Sequence, residues 1–151
     1  MDWLDFFEEF FTQRAESIAV IADAAGCREG WLQGEFFLCG RQMMLRTNAT
    51  RRRFDLLCDD PPMIAEIKLC GGGYATKMKA FIENDVRKLR SDPSCRPKYM
   101  ILVVDNRKPH TSLGRWLTTC SFPHTRERMC TLSEKLLVRI WEVASARHGT
   151  D

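Results

Sequence analysis

Two acidic residues and a lysine lie in a stretch whose sequence is typical of a β-hairpin. Asp55 precedes the sequence DDPP, and Glu66 and Lys68 follow it. Aspartate bonds its own backbone in turns, and proline has a preset φ and no N–H to donate to a strand ladder. The chain is therefore expected to reverse at the two prolines, between strands over residues 53–58 and 63–69.

The spacing of these three residues predicts that they share one face of the hairpin. A hairpin that is symmetric about the bond between Asp60 and Pro61 places Asp55 directly opposite Glu66, and opposed residues share a face. Lys68 joins them because side chains alternate with a period of two. Like charges opposite one another are destabilising, and a divalent cation would remove that penalty, since Mg²⁺ is held by one or two carboxylates together with waters and phosphates.

The residues around Asp55, Glu66 and Lys68 indicate whether these three side chains are exposed or buried. An exposed, salt-bridged strand edge can also carry acids and lysines. The neighbouring positions are instead largely apolar and indicate burial on at least one face; they are Leu56, Leu57, Met63, Ile64, Ile67 and Leu69. A buried carboxylate pair needs a partner. A purely structural acid–lysine hairpin in an unrelated α+β fold remains the alternative.

The order of these residues along the chain resembles that of a nuclease family. Asp55, then Glu66 and Lys68 on the next strand, followed by a helix and a strongly apolar strand, resembles the PD-(D/E)XK superfamily, with Phe54 in place of the proline. The likeness covers roughly residues 29–105. It implies a restriction-endonuclease-like fold in which Asp55 and Glu66 bind Mg²⁺ or Mn²⁺ and Lys68 positions or activates the attacking water.

The resemblance also implies a third acidic ligand on the helix that precedes the sheet. A helix is predicted over residues 28–43, and one stripe of it contains Trp31 and Glu35, so Glu35 is expected to face the core. The family often has a Glu-rich sequence here, like EGWLQGE in this chain. Glu35 is therefore the predicted third ligand and Glu29 the fallback. A lone glutamate that snorkels from the stripe edge is the other interpretation.

Basic residues on both sides of the hairpin indicate where a phosphodiester would bind. Arginine makes bidentate contacts with phosphate, and alternation places Arg51 and Arg53 on the same face as the acids. Lys77 and Lys88 lie on the outer sides of the next predicted helix and would extend this track. Asp85 interrupts an apolar stripe of that helix and is expected to pair with a lysine or arginine. A run of charge is also ordinary for a solvated surface.

The N-terminal region is predicted to be an amphipathic helix over residues 2–25. Asp2 can cap its start and Gly26 can end it. Five of the nine residues from Trp3 to Phe11 are aromatic. Two roles stay open for these aromatic side chains: packing in the core, or a surface for dimerisation or for a protein partner.

The remaining pattern predicts a single α/β domain over residues 1–151, with a restriction-endonuclease-like mixed central sheet flanked by helices and an extra N-terminal helix. The strand, helix and strand from Met63 to Val104 predict a crossover unit. The other expected elements are a strand at 44–50, a helix at 76–90, a strand at 98–104, a short helix at 113–120, a loop at 121–130, and a segment at 136–144 that favours a strand over a helix.

Composition excludes several classes of protein. A chain of 151 residues that is 44% hydrophobic and 28% charged can bury a core, which argues against disorder. Its seven cysteines include no CxxC pair, which disfavours zinc ribbons and disulfide frameworks and favours free thiols in a reducing compartment. No apolar run is long enough to span a membrane and the N-terminus lacks the basic start of a signal peptide, so a cytoplasmic location is expected.

The functional hypothesis is metal-dependent hydrolysis of a nucleic-acid phosphodiester, with DNA favoured over RNA. A small nuclease domain that cuts both strands is expected to form a homodimer. The alternative is a catalytically silent PD-(D/E)XK-fold module or subunit that acts through protein or nucleic-acid contacts, for which the aromatic N-terminal helix is the favouring feature.

Overall fold

A six-stranded mixed sheet forms the centre of the computed structural model, which describes residues 1–23, 28–43, 45–49, 54–70, 75–107 and 111–146, without the side chains of residues 48, 49, 75 and 76. The strand order is β1-β2-β3-β4-β6-β5. β3 and β4 are parallel, and the other neighbouring strands are antiparallel. The strands are β1 Arg46–Ala49, β2 Phe54–Asp59, β3 Pro62–Cys70, β4 Lys98–Asp105, β5 His124–Thr131 and β6 Leu136–Val143.

Helices cover both faces of this sheet, so the predicted mixed α/β architecture is confirmed. They are α1 Trp3–Gln13, α2 Ala15–Asp23, α3 Arg28–Cys39, α4 Ala75–Ser91 and α5 Ser112–Thr119. One core lies between the sheet and α1 to α3 and includes Phe7, Phe36 and Ile101. A second core lies between the other face and α4 and α5 and includes Ile82 and Trp141. No helix within the described ranges is long and apolar enough to cross a membrane.

The hairpin of β2 and β3 has the predicted register. Leu56 pairs with Ala65 and Cys58 with Met63, symmetrically about the Asp60–Pro61 bond, which is cis. The predicted crossover is also confirmed, because α4 connects β3 to the parallel strand β4. The strand pairing and the turn chemistry agree here, so local rules are sufficient to place the hairpin.

The N-terminal region differs from the prediction, since it forms two helices instead of one. Asp2 caps α1 as expected, with its carboxylate accepting from Leu4 N at 2.9 Å. Arg14 then leaves helical geometry, and its Nε lies 3.1 Å from the carboxylate of Glu35. The predicted end at Gly26 lies outside the described residues.

The aromatic residues of α1 pack inside the molecule. Trp3, Phe7, Phe10 and Phe11 are all buried in the first core. The ring of Phe10 stacks on that of Phe36, with 3.6 Å between the centroids. The structure therefore supports the core-packing role for these side chains.

Helix α3, predicted over residues 28–43, ends earlier, at Cys39, and residues 41–43 form a short 3-10 turn. Gly40 separates the two because a Cβ there would lie 2.6 Å from side-chain atoms of Leu45. The helix thus stops where the chain must make a close approach that only glycine allows.

The segment at 121–130, predicted to be a loop, contains most of strand β5. β5 lies at the edge of the sheet and pairs with β6 along one side. Its side chains are mostly exposed, so its sequence is polar and lacks the apolar alternation by which a half-buried strand is recognised. The segment at 136–144 forms strand β6, as favoured.

Candidate active site

The candidate site lies where β2 and β3 separate beyond the paired part of the hairpin. The pairing of the two strands ends at Leu56, and carboxylates then take the place of strand partners. The amide of Ile67 donates to Asp55 Oδ2 at 2.8 Å, and the amide of Leu69 donates to Glu29 Oε1 at 3.3 Å. Buried backbone N–H groups must be satisfied. The free edge of β3 therefore fixes one acid from β2 and one from α3.

The side chains of Asp55 and Glu66 interact, although not as the directly opposed ladder pair that was predicted, because the pairing of β2 with β3 ends at Leu56. Glu66 is only 2% exposed. Burial, followed by the charge of Asp55 and a hydrogen bond with its side chain, raises the pKa of Glu66 to about 9, although Lys88 opposes the shift. Two carboxyl groups in one dry site resist simultaneous ionisation. Glu66 therefore takes up a proton more readily than an isolated glutamate does, and a bound cation would compete with that proton.

Lys68 lies on the same side of the sheet as Glu66, facing α4. Its Nζ is 2.8 Å from Asp85 Oδ2, which confirms that Asp85 has a basic partner. Burial opposes charging of Lys68, but Asp85 and the other nearby carboxylates outweigh it and raise the pKa of this amine above its usual value. In the metal-free protein Lys68 therefore stays an ammonium ion, which can stabilise negative charge or orient a water.

Lys88 lies inside the site and not on the outer side of α4, where the sequence placed it. Its ammonium forms an ion pair with the Glu66 carboxylate and sits 5.0 Å from the centre of the Phe54 ring. Asp85 and Lys88 are three residues apart on α4 and thus lie on one helix face, so both reach β3. That spacing is the sequence signal that could have assigned Lys88 to the site.

Glu35, the predicted third ligand, lies elsewhere. Its carboxylate pairs with Arg14, toward α1 and α2. Gln33, in contrast, is buried, and its Nε2 donates to Asp55 Oδ1 at 3.0 Å. A helix turns about 100° per residue, so Glu35 is rotated about 200° from Gln33, whereas Glu29 is only about 40° from it. The prediction for Glu35 is wrong in helix phase, and the fallback residue Glu29 lies on the side of α3 that faces Asp55.

Glu29 and Gln33 act on the site from α3 in different ways. Burial raises the pKa of Glu29, while the charge of Lys68 and the hydrogen bond from Leu69 oppose the shift. Gln33 is an uncharged donor that holds Asp55 in one orientation. The sequence analysis did not single out Gln33. Gln33 lies four residues after Glu29 and therefore on the same helix face, so selecting Glu29 as a site residue would also have indicated Gln33.

Only some of the residues predicted to bind phosphate lie in the described part of the chain. Lys77 is exposed on α4. Arg51 and Arg53 lie outside the residues that the structure describes. The arginine part of the predicted track therefore stays a prediction.

The types of donor in the site match a hard divalent cation. The site offers carboxylate oxygens from Asp55 and Glu66, with Glu29 near Asp55, and oxygen ligands of this kind suit Mg²⁺ and Mn²⁺. In the described part of the chain, however, no three acidic, histidine or cysteine side chains are arranged as a ready-made metal site. The ammonium of Lys88 lies against the Glu66 carboxylate, so ion binding there requires a rearrangement of side chains.

Comparison with known proteins gives no family for this chain. No protein-family model, curated protein or solved structure matches it. The functional assignment accordingly depends on the geometry of the site.

Proposed function

We propose that the protein is a divalent-metal-dependent nuclease with a restriction-endonuclease-like fold of the PD-(D/E)XK type. One observation carries the proposal: Asp55 and Glu66 meet at the point where β2 and β3 separate, and Lys68 follows on the same face of β3. The substrate is a nucleic-acid phosphodiester, with DNA favoured over RNA. Mg²⁺ or Mn²⁺ is held by Asp55 and Glu66, with Glu29 as the third carboxylate.

Each side chain has a defined part in this reaction. A bound cation would supply charge stabilisation at the phosphate and lower the pKa of a bound water. Asp55 is a rigid ligand because two N–H donors fix its carboxylate. Lys68 keeps its proton and offers positive charge to the phosphate as negative charge develops there. Gln33 is a positioning residue that acts through Asp55.

A catalytically silent binding module is the second candidate, and one observation favours it. The ammonium of Lys88 already pairs with Glu66, and no metal site is preassembled among the described residues. In a silent protein this arrangement would be a permanent ion-pair network. A silent protein would bind nucleic acid or a protein partner without cutting.

The two candidates are separated by a cleavage assay on single- and double-stranded DNA and RNA, with Mg²⁺, Mn²⁺ or EDTA. We expect metal-dependent cleavage by the wild type and a loss of at least about 100-fold in Asp55→Asn, the size typical for removal of a group that stabilises transition-state charge. Glu134→Gln, an exposed site in the β5–β6 loop, is the control and should cleave like the wild type. Cleavage that survives in Asp55→Asn, or the absence of cleavage on all four substrates, would refute the nuclease proposal.

Lys68→Ala tests the role of the amine in the same assay. Cleavage should be lost while the far-UV circular dichroism stays that of the wild type. If the variant does not fold because Asp85 has lost the charge of Lys68, the double variant Lys68→Ala, Asp85→Asn replaces it in the assay, since it also removes the negative charge of Asp85. Unchanged cleavage by either folded variant would show that Lys68 has no catalytic role.

A further inference from the structure

Lys88 enters the site from the solvent side, in contrast to the other charged groups around Glu66. Its side chain is 37% exposed, whereas that of Glu66 is 3% exposed. Long lysine side chains can place the charged head and the apolar stem in different environments. Here the head is directed inward, onto the buried carboxylate and near the Phe54 ring.

The other lysine of the site is held by a different acid. Lys68 is half-buried and its ammonium lies 2.8 Å from Asp85 on α4. Lys88 therefore supplies the positive charge that contacts Glu66, the buried member of the Asp55–Glu66 pair. Its ammonium occupies the place beside Glu66 that the proposed function gives to a divalent cation.

An ammonium ion and a dication cannot both occupy that place. A dication bound to Glu66 would lie within a few ångströms of the Lys88 head, and like charges repel strongly at that distance when water is largely excluded. Lys88 can leave because its side chain is flexible and already reaches the surface. Lys68 has no such route, since it is tied to Asp85.

We propose that Lys88 is an exchangeable internal counter-ion: it neutralises the Asp55–Glu66 pair in the metal-free protein and is displaced toward solvent when the cation binds. The inference rests on the proposed function and deepens it. Displacement places the ammonium at the mouth of the site, where the phosphate of a nucleic acid would meet it. Lys88 would thereby weaken metal binding in the free protein and favour metal and substrate together.

The test is calorimetric titration of the full chain with Mn²⁺ and with Mg²⁺, in the absence of nucleic acid. Lys88→Met keeps the length and apolar stem of the side chain and removes its charge. We expect it to bind Mn²⁺ at least about 10-fold more tightly than the wild type, because the competing ammonium is gone. Lys79→Met, an exposed lysine of the same helix, is the matched control and should bind like the wild type.

Lys88→Arg tests the same idea in the opposite direction. A guanidinium forms stronger, two-pronged contacts with carboxylates than an ammonium does, so this variant should bind Mn²⁺ at least about 3-fold more weakly than the wild type. It also keeps the experiment decisive if Lys88→Met does not fold.

The outcomes separate this inference from the proposed function. If the wild type binds Mn²⁺ and Lys88→Met binds it no more tightly, or Lys88→Arg no more weakly, the counter-ion role is refuted and the metal site stands. If Lys88→Met binds Mn²⁺ where the wild type does not, the counter-ion role is supported in its strongest form. If neither protein binds Mn²⁺ or Mg²⁺, the metal-dependent function fails, and the counter-ion role fails with it.

Discussion

The carboxylate of Asp55 is fixed by two N–H groups, one from the backbone of β3 and one from the side chain of Gln33. Glu66 has no such pair of donors and is held in a nearly dry position, with Lys88 as its basic partner. The two acidic residues therefore have different environments, and Glu66 is the one whose pKa is raised by burial. Its protonation should therefore change in a pH range where an ordinary glutamate is already fully ionised.

Glu66 should make the stability of the metal-free protein depend on pH. Its pKa is raised to about 9 in the folded protein, so its favourable contribution is complete below its unfolded pKa and is lost as pH rises toward 9. Because one pKa unit corresponds to about 1.4 kcal/mol, we expect the free energy of unfolding to fall by several kcal/mol between pH 5 and pH 9. Glu66→Gln, which cannot ionise, should lose less.

Urea denaturation in EDTA at several pH values measures this difference. Glu134→Gln removes an exposed acid and should follow the wild-type pH profile. Parallel profiles for the wild type and Glu66→Gln would show that Glu66 does not titrate abnormally.

At the scale of elements, helix α3 shows why part of the site could not be read from the sequence. Asp55, Glu66 and Lys68 follow from turn chemistry and alternation, which are local rules. The choice between Glu29 and Glu35 depends instead on how α3 is rotated against the sheet. α3 has apolar residues on several sides, since Leu32 and Phe36 are buried while Phe37 and Leu38 are exposed. Its phase is therefore ambiguous in the sequence.

Helix α1 is a structural part of the first core and should be needed for stability. Phe7 is fully buried and its ring contacts those of Phe36 and Tyr99 edge to face. Replacing a buried phenylalanine by alanine typically costs about 3–5 kcal/mol. We expect Phe7→Ala to lower the free energy of unfolding by that amount in urea denaturation.

The control for this prediction is Val20→Ala on α2, where the side chain is 71% exposed. It should change stability by less than about 0.5 kcal/mol. Equal, small effects of the two variants would mean that α1 is an appended element and would revive the docking role for its aromatic residues.

At the scale of the whole molecule, the site joins the layers on the two faces of the sheet. α3 packs with the first core and contributes Glu29 and Gln33, whereas α4 packs with the second core and contributes Asp85 and Lys88. The two groups meet because β2 and β3 separate and leave the edge of β3 open to both. Such a meeting depends on the packing of the entire sheet, so the spacings that link Lys88 to Asp85 and Gln33 to Glu29 assign these residues only once Asp85 and Glu29 are known to face the site.

A ligand that bridges these layers should stabilise the whole fold, because it binds the folded chain and not the unfolded one. At a concentration one hundred times the Kd, binding adds about 2.7 kcal/mol, and for a chain of this size 1 kcal/mol corresponds to about 2–4 °C in Tm. We therefore expect saturating Mn²⁺ to raise the Tm by about 5–10 °C relative to EDTA, with ionic strength matched. Asp55→Asn should lose most of that increase and Glu134→Gln should keep it. A cation held between α3, β2 and β3 must oppose their separation on unfolding. Equal Tm values in Mn²⁺ and EDTA would therefore mean that no cation binds there and that the acids of this site serve only the fold.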